Sequence, residues 1–182
     1  MYRKSRPFFD LRLIHGPDGP FQALESHIRA ELAAETGFLQ LLANDCLSNL
    51  PPLTFFRDLI VEESGEVTDR FRLETSALQP LADVARVFGL AAGRPLGAST
   101  RVRFEGAGAL CPGRQSTFRE AADTMSVMLF HQARAGLRLR TNGSELPLPL
   151  LSRHDRQVIK SGFRSIHRLL EFTASWEWLE AV

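Results

Sequence analysis

Two long stripes of apolar residues at helical spacing constrain this chain more than any other feature. After Ser116 or Thr117, the residues Phe118, Ala122, Met125, Leu129, Gln132 and Ala133 follow one face to about Leu139. Beyond Ser152, a second stripe runs through Ile159, Phe163, Ile166, Leu170 and Thr173. A helix that is apolar along one face is marginal alone and becomes stable by laying that face on another helix. Three shorter stretches repeat the pattern. Phe21, Leu24, Ile28 and Leu32 recur between Pro20 and about Glu35, with Pro20 in the permissive first turn. Phe38, Leu39, Leu42, Cys46 and Leu50 continue until Pro51-Pro52 forbids further helix. Leu78, Leu81, Ala85 and Phe88, capped by Thr75 or Ser76, run to near Gly93. Ser152-x-x-Asp155 has the spacing of a capping box, with Asp in place of the usual Glu. The expected fold is all-α, a bundle of about five to six helices.

The remaining segments are less regular. Residues 8–14 alternate Phe9, Leu11 and Leu13 with Asp10 and Arg12, the period of a strand. The helical plan offers no neighbour for it, so it is an orphan N-terminal strand whose backbone groups need a partner from elsewhere. Residues 53–61 read as a helical turn followed by extended chain, 62–69 as a turn and 70–74 as a strand, which together suggest a small β-hairpin. Residues 94–113, with Gly97, Gly106, Gly108 and Gly113, read as loop with at most a short helix, and 141–151 as a connector.

A chain of 182 residues, 44% of them hydrophobic, is enough for one sizeable core. Its 22 Lys and Arg against 21 Asp and Glu leave a formal net charge of +1, which argues against nucleic acid as the main partner. Cys46 and Cys111 are the only cysteines, too few for a disulfide framework or a cysteine-based zinc site, and the usage suits a reducing cytoplasm. No uncharged run approaches the roughly 20 residues of a membrane-spanning helix. His15, His27, His154 and His167 form no His-x-x-x-His or Glu-x-x-His pair, so no metal site is expected. No serine lies in a Gly-x-Ser-x-Gly elbow, which leaves hydrolase chemistry without support.

Several segments, taken in order, resemble a known family. They are Phe38-Leu39 through Asn44, Pro51-Pro52-Leu53-Thr54-Phe55-Phe56, Glu62-x-Ser64-Gly65-Glu66 and Leu78-x-Pro80-Leu81-x-x-x-Ala85-Arg86-Val87. His131-Gln132-Ala133-Arg134 and Leu151-Ser152-x-x-Asp155-x-x-x-x-Lys160-x-x-Phe163-x-x-Ile166 follow. Their order and spacing, over about residues 36–182, resemble the nucleotidyltransferase substrate-binding domain. That helical module follows a nucleotidyltransferase domain in bacterial signal-transduction proteins, often with CBS or cyclic-nucleotide-binding domains upstream. Phe8-Phe9-Asp10-Leu11-Arg12 with Gly16 is similar to the last strand of that catalytic domain. The resemblance implies that residues 1–19 are the end of an upstream nucleotidyltransferase domain plus linker, and that 20–182 form the substrate-binding domain. It further implies that Asp10 is a third catalytic carboxylate in an intact parent, which would use Mg²⁺ and a nucleoside triphosphate on an unknown acceptor. The other carboxylates of such a site lie on a Gly-Ser and Asp-x-Asp segment absent from this sequence, so the chain alone is not expected to transfer nucleotides. Where the family has a regular Leu-rich helix with an Asn-Thr start, this chain reads Ala98-Ser99-Thr100-Arg101-Val102-Arg103-Phe104.

Each candidate residue has a functional and a plain reading. Asp10 and Arg12 form an exposed ion pair in the isolated chain, or a metal-holding pair in the parent. His131 and Gln132, followed by Arg134, face a substrate cleft or make an interhelical hydrogen bond. Arg86 and Lys160 are singly solvated or packing charges; converging with His131 they would make a cationic pocket for phosphate or carboxylate. Arg134, Arg138, Arg140, Arg153 and Arg156 form an anionic contact surface or a solvated helix end. The alternative to a substrate-binding domain is a free-standing interaction or homodimerisation module anchored by Trp176 and Trp178.

Overall fold

The stripe through Phe88 belongs to a helix buried on every side, and the other helices are arranged around it. The computed structural model describes residues 6–35, 37–48 and 70–181. Within them lie α1 (Asp18–Ala34), α2 (Phe38–Ser48), α3 (Gln79–Ala91), α4 (Thr100–Leu110), α5 (Gln115–Leu139) and α6 (Arg153–Ser175), with two short strands, β1 (Arg70–Arg72) and β2 (Glu145–Pro147). Leu81, Val84, Ala85, Val87 and Phe88 of α3 are all fully buried, the signature of a central helix. Helix α3 packs on α2, α4 and α6, and α5 lies between α4 and α6. The Phe88 ring is the hub, 4.9 Å from Phe118 of α5 and 5.0 Å from Trp178. Trp178 is 1% exposed and its indole N–H donates to the Thr173 carbonyl, so it is core and does not serve as a surface anchor.

Local signals set some of the boundaries. Ser152 accepts from the Asp155 amide and Asp155 accepts from the Ser152 amide, completing the expected capping box of α6. Thr75 and Ser76 do not cap α3: a π-helical turn over Glu74–Leu78 leads straight into it, and Pro80 lies in its first turn. Nor do Ser116 or Thr117 cap α5, which begins at Gln115 without a side-chain cap. The buried face of α5 runs through Phe118, Ala121, Ala122, Thr124, Met128, His131 and Ala135. Leu129 and Ala133, expected on that face, are exposed, because α5 is wedged between α4 and α6 and turns its small and polar residues toward them.

Three segments differ from the sequence reading. Residues 94–113 contain a full helix, α4, whose Ser99 accepts from the Val102 amide as N-cap. Its glycines mark close packing: a Cβ on Gly106 would overlap the Arg94 side chain, and one on Gly89 of α3 would lie 2.6 Å from Cγ of Arg103. The strand at Arg70–Arg72 pairs antiparallel with β2 in the connector, with Phe71 opposite Leu146. Residues 53–61 and 62–69 lie outside the described residues. Finally, Arg6–Asp10 is a 3₁₀ turn followed by irregular chain, so the N-terminal segment is not a strand. Phe9 is buried edge-on to Phe38 at 5.7 Å, and its carbonyl accepts from Arg103. Side chains of the bundle thus satisfy a backbone that has no sheet to join.

Candidate functional site

The N-terminal segment is held by a charge clamp. One Asp10 oxygen accepts from Arg86 Nη2 at 2.6 Å and the other lies 2.7 Å from Arg103 Nη2. The second guanidinium nitrogen of Arg86 donates to Asp83, one turn earlier on α3, at 2.7 Å. Arg103 also donates to the carbonyls of Phe9 and Leu96, which ties the segment to the α3–α4 loop. Gly97 makes room for this: a Cβ there would lie 2.7 Å from the Leu11 carbonyl oxygen. Burial raises the Asp10 carboxyl, but the hydrogen bonds and charges of Arg86 and Arg103 outweigh it and hold it below the usual carboxylate range. Burial likewise works against the Arg86 charge, and Asp10 and Asp83 more than restore it.

This arrangement bears on the expected roles of Asp10 and Arg86. Asp10 pairs with Arg86 and Arg103, not with Arg12. Two guanidiniums at its oxygens repel a divalent cation, which takes six or more oxygen ligands. As arranged here, Asp10 does not fit a Mg²⁺ site. Among the described residues, no three His, Cys, Asp or Glu side chains come together as a metal set. Arg86 is a packing charge in this clamp. Arg103 and Asp83 were not singled out in the sequence, since Arg103 falls in the glycine-rich stretch and Asp83 looks like an ordinary polar helix residue.

Beside the clamp is a cavity of about 290 Å³ lined by Leu11, Arg12, Phe21, Glu25, Leu96 and Val102, among others. Its walls come from the N-terminal segment, α1 and the α3–α4 loop. Glu25 accepts from Arg29 at 2.9 Å and from the Leu96 amide at 3.3 Å, and Arg29 donates to the carbonyls of Gly93 and Arg94, so α1 is pinned to the loop. The surrounding surface is bare. Phe8, Ile14 and Leu24 are 57%, 89% and 42% exposed, and α1 has no buried residue.

His131, Arg134 and Arg138 line a second, smaller recess, with Leu146, Leu150 and Leu151 across from them. At about 20 Å³ it has room for one water or one ligand oxygen. His131 is 4% exposed and makes no hydrogen bond among the described residues. Burial lowers its proton affinity; the Asp155 charge works against this and the Arg134 charge adds to it. Arg134 grips both Asp155 oxygens at 3.2 Å, and Asp155 is held far below the ordinary carboxylate range by Ser152 and Arg134. Gln132 contributes backbone here: its carbonyl oxygen lies where a Cβ on Gly143, at φ +70°, would have to sit. Lys160 is exposed on α6 and lines neither cavity. Arg86, His131 and Lys160 therefore do not converge into one cationic pocket: His131 meets Arg134, its neighbour on α5, while Arg86 is held in the clamp and Lys160 lines neither cavity.

The described residues thus form an all-α bundle with a clamped N-terminal segment and a cavity beside it. Residues 36–175 match the family described as putative nucleotidyltransferase substrate binding domain, and the chain belongs to that family. No curated protein and no solved structure matches the chain. No helix among the described residues is long and apolar enough to cross a membrane.

Proposed function

We propose that this chain holds the acceptor substrate for a nucleotidyltransferase domain that contacts it at the N-terminal end, in a bacterial cytoplasmic signalling protein. The observation that carries this reading is the N-terminal segment itself. It is clamped to α3 and α4 on one side and leaves Phe8, Ile14 and Leu24 uncovered on the other. Apolar surface of this kind is characteristic of contact with another domain. The mechanism is positioning: a rigid wall presents the acceptor to groups bound by the neighbouring domain and lowers the entropic part of the barrier. Mg²⁺ and the nucleoside triphosphate belong to that domain. In this chain Asp10 latches the two units, the cavity beside Arg12 and Phe21 receives the acceptor, and His131 with Arg134 anchors one oxygen of a bound group.

The native protein, isolated with an antibody against this segment and given labelled nucleoside triphosphates and Mg²⁺, is expected to transfer label. Its polypeptide mass should exceed 20.4 kDa, or a separate transferase should come down with it. A 20.4 kDa protein without associated transferase activity would sink the proposal. A second reading, homodimerisation, is favoured by one observation: Phe130 and Leu137 are 60% and 85% exposed on the outer face of α5. Light scattering after gel filtration separates the two, since Phe130→Ser abolishes a dimer built on that face.

A further inference from the structure

The near-zero net charge conceals a strong segregation. Residues 18–83 carry twelve Asp and Glu against four Arg, whereas 134–168 carry eight Arg and Lys against two acids. The structure sets five of the second group, those of α6, in a line. Arg153, Arg156, Lys160, Arg164 and Arg168 are all exposed and, at 3.6 residues per turn, fall within about 120° of one another around α6. From Arg153 to Arg168 the line is about 22 Å long at 1.5 Å per residue. The opposite face, Ile159, Phe163, Ile166 and Leu170, is buried in the core. Arg168 pairs with Glu120 of α5 and Arg156 donates to the Leu148 carbonyl. Arg153, Lys160 and Arg164 have no ion pair among the described residues.

We infer that this face of α6 binds the phosphodiester backbone of a nucleic-acid duplex. Successive charges about 6 Å apart along the axis, four of the five of them guanidiniums, suit a row of phosphates, each accepting a forked hydrogen-bond pair. The alternatives fit less well. A helix lying in a membrane needs apolar side chains next to its basic face to insert, and those of α6 are committed to the core. Binding to single strands relies on aromatic platforms, and this face carries no Phe, Tyr or Trp. With no residue placed to read bases, recognition is of the backbone and independent of sequence. The inference does not depend on nucleotide transfer.

The test uses the full 182-residue chain and fluorescence anisotropy with labelled RNA and DNA duplexes at several salt concentrations. Wild type is expected to bind at low salt, with an affinity that falls linearly with salt on logarithmic axes. R153Q/K160Q/R164Q should bind at least tenfold more weakly and lower the slope by about 2 to 3, close to one for each phosphate no longer neutralised. Circular dichroism should be unchanged. The charge-matched variant R72Q/R101Q/R119Q, altered away from α6, should bind like wild type. A preference for one duplex identifies RNA or DNA as the ligand. The inference is overturned if no duplex binds, or if the two triple variants weaken binding equally. It is also overturned if phosphatidylserine vesicles bind and duplexes do not, or if polyglutamate displaces the duplex at matched charge.

Discussion

Arginine has opposite roles at two places in this bundle. In α3 and α4, Arg86 and Arg103 are buried, and each guanidinium is matched by carboxylates or carbonyls. On α6, Arg153 and Arg164 are exposed and have no ion pair among the described residues. The difference shows how burial governs a charge. Taking a guanidinium out of water costs several kcal/mol, so an interior arginine must be fully paired and becomes part of the fold. In water the same group needs no partner and remains available to one.

Breaking the paired end should have the largest effect. Arg86→Met leaves Asp83 and Asp10 without their shared cation and is expected to cost about 3–5 kcal/mol, read as a lower urea midpoint. Gly89→Ala forces the Arg103 stem off α3 and should cost about 1–3 kcal/mol. Ser152→Ala removes the cap of α6 and should cost about 1 kcal/mol. Arg164→Gln on the exposed face should stay within about 0.5 kcal/mol. If R164Q were as damaging as R86M, the contrast between the two regions would be wrong.

Acid should sharpen the same contrast in two separate windows. His131 has a proton affinity below the ordinary value, so the unfolded chain takes up a proton first as pH falls below about 6.5, and stability declines there. His131→Gln should remove that part of the decline between pH 7.5 and 5.5 in urea titrations. Asp10 is also depressed, so its contribution is complete above about pH 4 and is lost as pH falls through its folded value. Amide exchange at residues 9–14 should therefore speed up below pH 4 in wild type and already be fast at neutral pH in Asp10→Asn.

Much of the helical framework was legible because helical periodicity is a local property. The stripes through Leu81 and Phe88 and through Ile159 and Phe163 each identify a helix, and Ser152-x-x-Asp155 marks where the last one starts. Helix α4 was obscured because Gly106 and Gly108 lower helix propensity by about 1 kcal/mol each, and the close packing that offsets this comes from Arg94 and Gln115 elsewhere in the chain. The candidate site was less legible. His131 and Arg134 are three residues apart on one helix and their meeting follows from the sequence, whereas the Asp10–Arg86–Arg103 clamp joins three distant segments.

The sequence by itself determined that the chain is helical, where most helices begin and end, and the family to which it belongs, since these depend on neighbours a few residues apart. Only the tertiary structure decided that Trp178 is core, that β1 pairs with β2, that Asp10 pairs with Arg86 and Arg103, and that the basic residues of α6 stand in one exposed line. These depend on contacts between remote segments, where packing and the cost of burying charge outweigh local preference.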